Sequence, residues 1–124
     1  MLPFKYSDLT PSFDAAEVFY VRIDPKISLS EELLSALYYQ LWLPGYFGFN
    51  WDALYDCLRD LEWIPCSKVV LVHEVIPNVP VDDLKVYLEV LRDAALDWGR
   101  DEAHQLEVFF RPTDRSAVEA LLMS

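Results

Sequence analysis

The chain has 124 residues, of which 53% are hydrophobic and 15% aromatic. A single domain is the expectation at that length, with enough apolar side chains for a real core and no need of disulfides or metals to hold it. Twenty-one acidic residues stand against ten basic ones, a net charge of -11. That balance argues against direct binding to nucleic acid or to an anionic membrane, since both reward a basic surface. It favours a basic protein partner reached by electrostatic steering.

The N-terminal segment has no apolar run of signal-peptide length, and nothing approaches the roughly 20 apolar residues of a membrane span. Cys57 and Cys66 lack metal-ligand spacing. A cytoplasmic protein with free thiols is expected, with Cys57 on a buried helix face.

Residues 1–16, interrupted by Pro3 and Pro11, show no clean periodicity. They read as an N-terminal extension packed over a sheet or its edge, with one turn at Asp14-Ala15-Ala16. Glu17 to Ile23, EVFYVRI, is nearly continuous in β-branched and aromatic residues. Such a run suits a strand buried on both faces, as in parallel sheets. Ser28 and Glu31 have the spacing of a capping box. The helix after them places Leu33, Leu34, Leu37, Tyr38 and Leu41 on one stripe and ends near Leu43, before Pro44.

Gly45 to Phe49 is then a loop carrying three rings, and Asn50 is a good N-cap for a short helix from Trp51 to Leu61. Ser67 to Val75 is the second strand. A long helix follows, with Val81, Leu84, Leu88, Leu91, Ala95 and Trp98 at core spacing and Gly99 at the C-cap. Gln105 to Arg111 is the third strand. Thr113 or Asp114 caps a last helix, with Ala117, Leu121 and Leu122 facing inward. The order β-α-α-β-α-β-α predicts an α/β fold in one domain over residues 1–124. Its core is a small three-stranded parallel sheet joined by right-handed crossovers and packed with helices.

The stretch from Leu43 to Trp63 asks for a functional explanation. At 100° per residue, Leu54, Cys57, Leu58 and Leu61 fall within an arc of roughly 100°, the width of a core-facing stripe. Asp52, Tyr55, Asp56 and Arg59 lie opposite. Asp52 and Asp56 are surface neighbours, and like charges at that spacing cost an isolated helix roughly 0.2–0.5 kcal/mol. The helix dipole offsets part of this at Asp52, and Arg59 is placed to screen Asp56. A solvated polar face is the plain reading of such a pair. Trp51 and Tyr55 beside the carboxylates, with Tyr46, Phe47 and Phe49 just before, point instead to a protein-binding hot spot aimed at arginine or lysine.

A metal-dependent hydrolase is the competing reading. Asp52 and Asp56 supply two ligands, and no third is adjacent in sequence. His73, in a strand, and His104, near the start of another, are isolated and read as structural. Gly45-x-x-Gly48 lacks the preceding strand, the lysine and the third glycine of a phosphate loop. The expectation is a non-enzymatic protein without metal or cofactor.

The segment Leu43-Pro44-x-Tyr46-Phe47-Gly48-x-Asn50-x-Asp52-Ala53-Leu54-Tyr55-Asp56-Cys57-Leu58 closely resembles, without a gap, the signature LPEYYGENLDALWDCL of the barstar family of intracellular ribonuclease inhibitors. The resemblance implies a barstar-like fold over residues 17 to 111, with residues 1–16 and 112–124 as N-terminal and C-terminal extensions. It implies an immunity protein or antitoxin that plugs the active site of a barnase-like extracellular ribonuclease or another nuclease toxin.

Carried over by position, Asp56 is similar to the central carboxylate that meets the enzyme's catalytic arginines and histidine, and Asp52 to the second acidic contact. Tyr46 matches the stacking tyrosine, and Gly48 and Asn50 match the residues shaping the entry to the helix. Asp93 aligns with a contact glutamate on the long helix. The family's two loop glutamates are here Gly45 and Phe49, its leucine is Trp51, its helix tryptophan is Tyr55, and a glycine after the helix is Asp60. The site is thus Tyr46, Gly48, Asn50, Trp51, Asp52, Tyr55, Asp56 and Asp93, with an unusually aromatic rim. A binding module that keeps the fold but engages a different basic protein is the second functional expectation.

Overall fold

The computed structural model describes residues 2–8, 17–99 and 102–123. The elements are β1 (Lys5–Tyr6), β2 (Val18–Ile23), α1 (Ser30–Gln40), α2 (Trp51–Asp60), β3 (Lys68–His73), α3 (Val81–Asp97), β4 (Gln105–Phe110) and α4 (Arg115–Met123). The strands form one sheet in the order β1-β4-β3-β2, and every pair is parallel.

The sheet therefore has four strands, where the sequence predicts three. The added strand is too short to show a period: Lys5 sits opposite Phe109 and Tyr6 opposite Phe110. It is held by its flanks. Phe4 is buried edge-on against Phe110, with ring centroids 5.2 Å apart. The Ser7 N–H donates to the Phe110 carbonyl at 3.0 Å, and the Lys5 ammonium donates to Glu107 at 2.8 Å. Residues 2–8 are thus built into the sheet edge. The Asp14-Ala15-Ala16 turn falls outside the described residues.

Strand β3 is one of the two inner strands of the sheet and is buried from Val69 to His73, as a continuous apolar run should be. The β2 run looks equally apolar but lies at the edge. Val21 and Ile23 face the core, while Tyr20 and Arg22 are exposed, and Arg22 pairs with Glu74 at 2.6 Å.

Helix α1 starts later than Ser28 and Glu31 suggest. Glu32, not Glu31, reaches back to accept from the Leu29 and Ser28 N–H groups at 3.1 and 3.2 Å. It also ends sooner, at Gln40. Trp42 adopts φ 53°, its N–H bonds the Tyr39 carbonyl at 3.4 Å, and the Leu43 N–H bonds the Tyr38 carbonyl at 3.0 Å. That pattern is a Schellman termination with tryptophan where glycine is usual.

Two core assignments shift by about one residue in phase. On α3 the buried face is Leu84, Tyr87, Leu88, Val90, Leu91 and Ala94; Val81 is exposed and Ala95 only half-buried. On α4, Val118 is buried and Ala117 exposed, with Leu121 and Leu122 half-buried. Helix α3 closes on an extended Trp98, not on a left-handed Gly99. The Trp98 indole donates to the Leu58 carbonyl at 2.8 Å, so the end of α3 is tied to α2.

His73 ends β3 inside the core, stacked on Phe110 at 4.3 Å. Its Nδ1 faces the Phe109 carbonyl at 3.1 Å and its Nε2 the Tyr87 hydroxyl at 2.7 Å. A carbonyl only accepts, so Nδ1 carries the proton and Nε2 accepts from Tyr87. Burial lowers the His73 pKa to about 4 and raises that of Tyr87.

The folded state thus keeps the ring neutral, while the unfolded chain protonates it below about pH 6.5. His73 should contribute fully to stability above that pH and progressively lose its contribution as pH falls toward 4. The loss is about 3 kcal/mol at the lower limit. Urea unfolding at pH 7, 5 and 4 tests this: His73→Asn should be less stable at pH 7 and show a flatter decline. Parallel pH profiles for the two proteins would remove the assignment.

Candidate functional site

The α1–α2 loop is fixed from inside by one ring. Phe47 is buried and stacks on Tyr38 with centroids 6.1 Å apart; Phe49 lies 4.9 Å from Phe47 and 5.0 Å from Tyr38. Of the three loop rings, only Tyr46 and Phe49 are exposed. Phe47 is an anchor, a distinction that a run of aromatics between glycines does not reveal.

Asn50 performs the capping role its sequence position predicts. Its Oδ1 accepts from the Ala53 N–H at 2.8 Å, and its Nδ2 donates to the Gly48 carbonyl at 3.3 Å. A Cβ on residue 48 would stand 3.0 Å from that Nδ2, so any side chain there would push the Asn50 amide by a few tenths of an ångström. Between them Phe49 holds φ 52°, a region bulky residues avoid at a cost of roughly 1–2 kcal/mol.

Helix α2 then divides as its angular pattern predicts. Leu54, Cys57 and Leu58 are buried, and Asp52 and Asp56 are exposed. Among the described residues neither aspartate has a hydrogen-bond or ion-pair partner. Arg59 does not screen Asp56. Its guanidinium lies over the Trp98 ring at 4.4 Å and reaches Glu102 at 3.5 Å. A ring face and an opposite charge on the neighbouring segment outcompete a carboxylate on its own helix. Trp51 is half-buried with its ring 5.8 Å from Tyr87, so it serves the α2–α3 packing as well as the rim.

Two tyrosines frame the aspartates, each held by a further carboxylate. The Tyr46 hydroxyl donates to Asp60 at 3.1 Å, and the ring is 69% exposed. The Tyr55 hydroxyl donates to Asp97 on α3. That bond is the main cause raising the Tyr55 pKa, followed by desolvation and by the Asp97 charge; Arg59 opposes it and Asp93 adds to it. Asp93 is exposed on α3 and pairs with the adjacent Arg92 at 2.9 Å. It stands one helical turn before Asp97 and acts on the same tyrosine.

Asp60 and Asp97 are the residues that sequence reasoning undervalued. Asp60 reads only as a family departure. Asp97 has a signal in hindsight, its i,i+4 spacing from Asp93.

His104 is buried, with Nε2 3.1 Å from the Ile64 carbonyl. Among the described residues no group of three or more histidine, cysteine or acidic side chains could hold a metal ion, and no helix is long and apolar enough to cross a membrane. Asp52 and Asp56 present negative charge on an exposed helix face between ring edges, all positioned by a rigid α/β scaffold. An arrangement of that kind is complementary to cationic groups.

The structure is that of an α/β protein with a parallel sheet and an exposed acidic helix face. The family model for barstar, described as barnase inhibitor, matches residues 18–111, and the chain belongs to the barstar family. Comparison with curated protein sequences gives no match.

The cap has a measurable consequence. Asn50→Ala should lower stability by about 1 kcal/mol, the usual value of an N-cap side chain. Asn50→Asp, which keeps the acceptor, should largely restore it. Urea denaturation reads both; equal stability of all three proteins would show that the cap is not what holds α2 in place.

Proposed function

We propose that the chain is an inhibitor or immunity protein that plugs the active site of a cognate small ribonuclease by mimicking the substrate. Asp56 supplies the central negative charge where a substrate phosphate would sit, and Asp52 the second. Tyr46 stacks where a base would, with Tyr55, Trp51 and Asp93 extending the contact and Gly48 and Asn50 shaping the loop. The observation that carries this reading is the pair of exposed, unpartnered aspartates set between two tyrosines whose hydroxyls are fixed by Asp60 and Asp97.

Preset rings and charges cost little ordering on binding. The net charge of -11 favours fast, salt-sensitive association with a cleft built for RNA. The partner is a basic nuclease, and protection of the producing cell places the encounter in the cytoplasm. Family membership supports a barnase-like enzyme as the class of partner.

The experiment is RNA cleavage by a barnase-type ribonuclease in the presence of increasing inhibitor. Asp56→Ala should cost about 2–5 kcal/mol of affinity, because it leaves the enzyme's cationic groups buried and unpaired. Asp52→Ala should cost less, and the remote Asp8→Ala close to nothing. Similar losses for Asp56→Ala and Asp8→Ala would end the substrate-mimic reading. Tight binding without loss of cleavage would make the chain a non-inhibitory adaptor on the same fold.

A further inference from the structure

Beside the plug, the surface holds a second feature that the aspartates do not use. Phe49 is 48% exposed and turns one side of its ring toward α1. There it closes a depression of about 250 Å³ lined by Glu31, Leu34, Ser35 and Phe49. Leu34 is buried and supplies an apolar floor. Glu31 is exposed in the first turn of α1, and among the described residues its carboxylate has no partner, because Glu32 makes the capping bonds. Ser35 adds a hydroxyl to the wall.

We propose that this depression is a second contact point for the basic partner and receives one lysine or arginine side chain. The proposal rests on the inhibitor reading for the partner's identity and deepens it. The chemistry selects the occupant. An aliphatic stem suits the Leu34 floor, and a cationic head meets both the Phe49 ring and the Glu31 carboxylate. A neutral apolar group would leave Glu31 beside it without compensation, and an anion would be repelled by it.

Phe49 also occupies a left-handed backbone position that glycine or asparagine would adopt with less strain. A half-exposed ring held there at conformational cost is the kind of outlier that accompanies binding sites. The depression adjoins the plug along the chain: Phe49, which lines it, immediately precedes Asn50, the cap of the helix bearing Asp52.

The full-length chain, isotopically labelled, is titrated by NMR with N-acetyl-arginine amide, N-acetyl-lysine amide and the uncharged N-acetyl-norleucine amide. The cationic probes should shift the Glu31, Ser35 and Phe49 resonances, and the norleucine probe should do so much less. Glu31→Gln and Phe49→Leu should each weaken the cationic probes about two- to fivefold, while Asp8→Ala leaves them unchanged. Equal response to the norleucine probe, no response at these residues, or full response in Glu31→Gln would overturn the proposal. Concentration-dependent shifts without any probe, lost in Phe49→Leu, would assign the depression to a second copy of the chain and overturn it as well.

Ribonuclease inhibition separates the two readings. If Asp56→Ala abolishes inhibition and Glu31→Gln leaves affinity intact, the plug stands and this contact falls. If Asp56→Ala has no effect, the plug falls whatever the titration shows.

Discussion

The hydrogen bond from the Ala53 N–H to the Asn50 side chain sets where α2 begins, and the rest of the site depends on it. A helix's starting residue determines its phase. Because α2 starts at Trp51, Leu54, Cys57 and Leu58 turn inward and Asp52 and Asp56 turn out. Two indoles hold that geometry from the sides. Trp98 binds the Leu58 carbonyl, and Trp63 donates to the Leu41 carbonyl at 2.8 Å. One bond fixes α2 to α3, and the other ties the segment after α2 to the end of α1.

Electrostatically the site is built against its own stability. Asp52 and Asp56 repel each other along α2, Asp60 lies at its end, and Asp93 and Asp97 face it from α3. The nearby arginines do not relieve the central pair: Arg59 is occupied by Trp98 and Glu102, and Arg92 by Asp93. The charge left uncompensated is greatest at the two positions that face outward. A partner's cations can supply what the fold withholds, and that difference between free and bound states is available as binding energy.

Much of this was legible from residue order. The bounds of α2, its cap, its buried and exposed faces and the apolar centre of the sheet all follow from local pattern. What escaped was decided by contacts distant in sequence. Two residues at Lys5–Tyr6 carry no period and become a strand only because β4 offers an edge. The β2 run has the composition of a central strand but ends the sheet, and composition does not record neighbours. Glu31 and Glu32 are equivalent as letters, and the N-terminal phase of α1 chooses between them. Phe47 and Phe49 differ by burial, and Asp97 and Asp93 by which one meets Tyr55. In each case the local choice was open and the tertiary partner settled it.

Trp42, Phe49 and Leu61 are the non-glycine residues with positive φ among the described part of the chain, and they punctuate the site at the end of α1, before α2 and after α2. Each occupies a conformation that most side chains resist, so each corner is a place where stability was left unclaimed. Such corners give the domain evolutionary slack. A lineage that relaxes one of them gains tolerance for destabilising changes elsewhere on the rim, and the acidic face can then change without loss of the scaffold beneath it.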